Sequence, residues 1–127
     1  VGMVDLSTRQ ITELFLNSLW RCIEEMEKNI GNQDAFISFG IRFHRLIAEA
    51  GQNEILILIW DTLANLIRRS HDKIYRISRS PKRSLLAHKK IYFALKKRNV
   101  QKAMEAMKQH MLEEEMALVA ALQKGKA

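Results

Sequence analysis

Three histidines, His44, His88 and His110, fall on three separate stretches of helical periodicity, each on a face that is otherwise apolar. His44 follows Ile41 by one turn and precedes Ile47 and Ala48 by another. His88 lies three residues after Leu85 and seven before Leu95, and His110 shares a face with Ala103, Met107 and Glu114. Neutral imidazole is a ligand for zinc, nickel, copper or iron, and three of them leave coordination positions open. Taken singly, a histidine on an apolar face is more often a core residue hydrogen-bonded to a neighbour, and both readings stand on spacing alone. His71, aligned with Ile67 and Ile74, is a fourth inward-facing histidine, for which core packing is the better reading. No nucleophile-base pair, Gly-rich phosphate loop or Cys cluster accompanies these residues. A three-histidine metal can activate water, but no general base is identifiable, so an enzyme is not expected and a metal-dependent hydrolase is the weakest reading.

The elements that must carry these side chains are helices. Strand-like alternation is nearly absent and the only proline is Pro81, so an all-α antiparallel bundle of about five to six helices is expected. Ser7 with Gln10 reads as a capping box opening a helix whose apolar face is Ile11, Leu14, Phe15, Leu19, Cys22, Ile23 and Met26, ending near Asn29 to Gly31. Asn32 caps a second helix, with Phe36, Ile37, Ile41, His44, Ile47 and Ala48 inward, and Gly51 is expected to supply its left-handed end. Asn53 can cap a third, apolar almost all round from Ile55 to Trp60, which predicts a central, many-sided position. Ser80 and Pro81 begin the helix of His88. Asn99 caps a last long helix with Val100, Met104, Met107, Met111, Leu118 and Leu122 on its stripe, and Gly125 lies past its end.

At 127 residues and 47% hydrophobic, the chain has the size and core of one domain, residues 1–127. No apolar run approaches the roughly 18 residues of a membrane span, no secretory leader is visible, and the single Cys22 fits a reducing compartment, so a cytoplasmic protein is expected. The net charge of +7 is concentrated: residues 1–67 hold 5 Lys or Arg against 9 Asp or Glu, and residues 68–102 hold 13 against Asp72 alone. With few aromatic residues exposed for stacking, that block reads as a solvated helical surface rather than a nucleic-acid contact.

The run from His88-Lys89-Lys90-Ile91 through Asn99 to Met107-Lys108-Gln109-His110-Met111 resembles the closing signature of the FadR C-terminal (FCD) domain, the ligand-sensing half of GntR-type bacterial transcription regulators. Phe43-His44-Arg45-Leu46-Ile47-Ala48, followed by Ala50-Gly51-Gln52-Asn53, resembles the family's Phe-His helix and its closing turn, and the likeness spans roughly residues 8–123. Two departures are visible. The family pattern places Asp four residues before the first histidine, where this chain has Gly40, and its opening helix with an Arg-x-x-Leu-Glu pattern has no counterpart before Leu6, so a truncated sensor is expected.

The resemblance implies a divalent metal, zinc or nickel, on His44, His88 and His110. It also implies a small carboxylate effector in the helical cavity and a homodimer; the family motif does not include His71, which by its inward alignment could line that cavity or donate to the effector. DNA would be bound only through a winged helix-turn-helix domain absent from this chain, and no membrane is implied. Glu114, one turn beyond His110, water or the effector itself could replace the carboxylate missing at Gly40. The rival reading is a stand-alone helical interaction module whose histidines are structural.

Overall fold

The computed structural model describes residues 11–52, 54, 55, 57, 58, 61, 62, 65 and 80–125, and among these there is no strand. Four helices are defined: α1 (Glu13–Lys28), α2 (Gln33–Ala50), α3 (Pro81–Lys96) and α4 (Val100–Gly125). These four are the helices defined among the described residues, and the five to six expected include stretches that lie outside them. The described residues between 54 and 65 are also helical, and the expected cap Asn53 and the run from Leu66 to Tyr75, with His71 in it, lie outside the described residues.

Local chemistry sets the helix ends. Thr12 opens α1, its hydroxyl accepting from the Phe15 amide at 3.1 Å. The expected Ser7 and Gln10 box lies outside the described residues. The apolar stripe of α1 is Leu16, Leu19, Cys22, Ile23 and Met26, and Leu14, assigned inward from the sequence, is 78% exposed. The correction follows from helix geometry, since Leu16 lies roughly 200° round the helix from Leu14 and only one of them can join the stripe of Leu19 and Ile23.

Asn32 caps α2 as expected, accepting from the Ala35 amide. At the other end of α2 the roles shift by one residue: Gly51 stays right-handed, with φ −77° and ψ −5°, and Gln52 takes the left-handed conformation at φ 52°. Ser80 caps α3, accepting from the Arg83 amide, with Pro81 in its first turn. The side chain of Asn99 accepts from the Lys102 amide at the start of α4, and α4 continues through Gly125 rather than ending before it.

Short turns join α1 to α2 and α3 to α4, giving two helical hairpins, and α3 also packs on both α1 and α2. The core runs through all four helices: Leu19, Ile23 and Met26 from α1, Phe43 and Ile47 from α2, Ile91 and Leu95 from α3, Met107 from α4. The guanidinium of Arg98, in the α3–α4 corner, donates to the carbonyl of buried Ile11 and so ties that corner to the entrance of α1. Of the run expected to sit centrally, Ile55 and Leu58 are 73% and 66% exposed, so these two positions face outward. Arg45 pairs with Glu49 on its own helix and with Asp61, linking α2 to the helical residues that follow it.

Candidate metal centre

His44 comes from α2, His88 from α3 and His110 from α4, and all three are buried, at 3%, 0% and 3% exposure. One nitrogen from each lies within 4.8 Å of the others. The ring centroids form a near-equilateral triangle of 4.7 Å (His44 to His88), 4.8 Å (His44 to His110) and 4.5 Å (His88 to His110). His44 and His110 are nearly parallel, at 13°, while His88 stands across His110 at 70°. Such an opening suits one ion bound through nitrogens at about 2.0–2.1 Å.

The hydrogen bonding of His88 fixes which nitrogen carries the lone pair. Its Nδ1 lies 2.6 Å from the carbonyl oxygen of Ser84, one turn earlier on α3. A carbonyl only accepts, so Nδ1 carries the proton and Nε2 carries the lone pair. That Nε2 points at Gly40: a Cβ there would lie 3.5 Å from it and 3.5 Å from the Met26 Cε. Position 40, where the family pattern has its carboxylate, therefore adjoins the lone pair of His88, and in this chain it brings no side chain. Phe43 seals the base of the cup with its ring edge-on to His88 at 4.9 Å and to His44 at 5.5 Å. On α4, Glu114 places Oε1 3.8 Å from His110 Nε2.

All three sequence-predicted ligands thus converge, whereas His71 lies outside the described residues. Two contributors were missed by sequence reasoning. Ser84 is buried and acts through its backbone carbonyl, for which the only sequence signal is its place one turn before His88; Phe43 belongs to the Phe-His motif, but nothing in the motif signals its packing against both His44 and His88. From outside, a cleft of some 220 Å³ between α3 and α4 reaches His110, with Arg83 and Lys90 on one bank and Gln109 and Glu113 on the other. Lys82, Arg83, Lys90, Lys96 and Lys97 are exposed along the basic stretch. Away from the cup, burial raises the pKa of the Cys22 thiol and, with Glu13 adding to the effect, that of the Tyr92 phenol, so both stay protonated at neutral pH.

The sequence profile of the FCD domain matches residues 1–124, and the chain belongs to that family, the FadR C-terminal effector-binding domain of GntR-type regulators. No curated protein and no solved structure matches the chain. No helix among the described residues is long and apolar enough to cross a membrane.

Proposed function

We propose that residues 1–127 form one sensing unit of a GntR-family transcription regulator of the FadR subgroup, working as a homodimer in the cytoplasm. Its cup of His44, His88 and His110 holds a divalent transition metal, zinc or nickel, and through it a small organic acid. The observation that carries this reading is the convergence of three buried imidazoles from three helices in a chain of the FCD family. The donor set fits the ion, because nitrogen ligands suit zinc and nickel and the Ser84 carbonyl leaves the lone pair of His88 on Nε2, free of the proton. When bound, the ion supplies a Lewis-acid anchor for a carboxylate oxygen.

The chain's own residues do the rest. Ser84 orients His88, Phe43 and Met26 keep the base of the cup apolar, and Arg83 and Lys90 draw an anion toward the α3–α4 cleft. A ligand that binds one dimer arrangement better than another shifts their populations by that difference in affinity, and so alters operator binding by a DNA-binding domain. Calorimetric titration of chelator-treated protein with zinc or nickel, followed by a panel of small carboxylates and by sedimentation, tests the proposal. One metal per chain is expected, lost in His44→Ala, His88→Ala and His110→Ala, with carboxylate binding only to the loaded dimer. Stoichiometric metal uptake that survives all three substitutions would refute it.

A further inference from the structure

Glu114 differs from the carboxylates that form ion pairs with Lys or Arg among the described residues. Glu25, Glu27, Glu49, Asp61 and Glu113, which pair with Lys or Arg, have side chains 40–58% exposed, as solvated surface charges do. The Glu114 side chain is 15% exposed and lies beside His110, itself 4% exposed, with Oε1 3.8 Å from Nε2. Drawing a carboxylate out of water costs free energy unless a charge or hydrogen bond compensates it. Glu114 is also not one of the side chains whose ligand atoms lie within 4.8 Å of one another, which puts it at the edge of the cup and not inside it.

We infer that Glu114 is a positioning residue for His110, supplying beside that ring the negative charge that Gly40 does not supply from within the cup. The inference rests on the metal reading above. A ligating imidazole commonly gives its second N–H to a carboxylate or a backbone carbonyl, which fixes the ring and raises the basicity of the nitrogen facing the ion. The Ser84 carbonyl does this for His88 at 2.6 Å, and Glu114 is placed to do it for His110. The separation of 3.8 Å is a charge contact, longer than a hydrogen bond. The electrostatics favour the same assignment. Three neutral imidazoles leave a bound dication uncompensated in an apolar core, and a carboxylate one imidazole away offsets part of that charge.

The test compares wild type with Glu114→Ala and Glu114→Gln, using Glu105→Gln on the exposed side of α4 as control. Zinc affinity is read by competition with a chromophoric chelator, and the coordination sphere by the ligand-field absorption of the cobalt(II) form. Glu114→Ala should weaken zinc binding by roughly 10- to 100-fold, Glu114→Gln by less, and Glu105→Gln not at all, with the cobalt bands unchanged. Affinities within twofold for Glu114→Ala would overturn the positioning role. Altered cobalt bands would overturn it as well, by making Glu114 a ligand. Failure of the wild type to take up either ion is a separate result, which removes the metal reading and this inference with it.

Discussion

A carboxylate at position 40 would enter the cup from the α2 side. The Cβ of Gly40→Asp meets His88 Nε2 and Met26 Cε at 3.5 Å, ordinary van der Waals contacts, so the backbone need not move. The consequence depends on the metal. In chelator-treated protein the new carboxylate is buried against an imidazole lone pair, and stability should fall by about 1–3 kcal/mol. With zinc present an oxygen joins the nitrogens, and affinity should rise above wild type. Gly40→Ala separates the backbone effect: it should raise stability by about 0.5–1 kcal/mol, the usual gain on replacing a mid-helix glycine, without changing metal affinity. Titration calorimetry and urea unfolding of the three proteins measure both quantities. A folded Gly40→Asp protein that binds zinc no more tightly than wild type would leave the histidines as core residues.

At the scale of the helix, two ends adopt a backbone conformation that suits glycine and lack one. Arg98, at φ 58°, closes α3 in a Schellman pattern, with the Asn99 amide donating to Ala94 and the Arg98 amide to Leu95. Gln52, at φ 52°, closes α2 with its amide donating to Glu49. A left-handed non-glycine residue costs roughly 1–2 kcal/mol, partly offset because glycine has more backbone freedom to lose on folding. Gln52→Gly, at an exposed position, should therefore stabilise the protein by about 0.5–1 kcal/mol. Arg98→Gly should not, because it also removes the guanidinium bond to the Ile11 carbonyl. Urea midpoints at constant slope distinguish the two, and equal gains would show that the Arg98 tie contributes nothing.

These helix ends also mark where the sequence was legible. Asn32, Ser80 and Asn99 were readable as caps because a short side-chain acceptor just before an apolar period has one common use. Gly51 misled because glycine is the usual left-handed residue, yet the bond from its own amide to Ile47 extends α2 by one more residue. Leu14 misled because α1 has more apolar residues than its stripe can bury, and periodicity alone does not choose between Leu14 and Leu16. The inward convergence of the three histidines was legible because each interrupts an apolar face that packing must turn inward. Ser84 was not, since it acts through a carbonyl that every residue possesses.

Across the whole molecule, the cup joins α2, α3 and α4, so an ion held there would tie together helices distant in sequence. Metal binding should then stabilise global unfolding and not only a local region, and a ligand that binds the native state alone does so by mass action. At 100-fold excess of free zinc over its Kd the gain is about 2.7 kcal/mol, which for a chain of this length raises Tm by roughly 10 °C. Chelator should reverse the shift. His88→Leu gives the sharper comparison, because it replaces a fully buried imidazole by an apolar side chain that neighbouring Phe43 and Met26 can accept. That variant should be about as stable as the metal-free wild type and should show no response to zinc. Thermal unfolding followed by circular dichroism, with and without zinc and chelator, measures all four states. If zinc raises the Tm of His88→Leu as much as that of wild type, the ion is binding elsewhere, and the convergence of the three histidines is a feature of core packing alone.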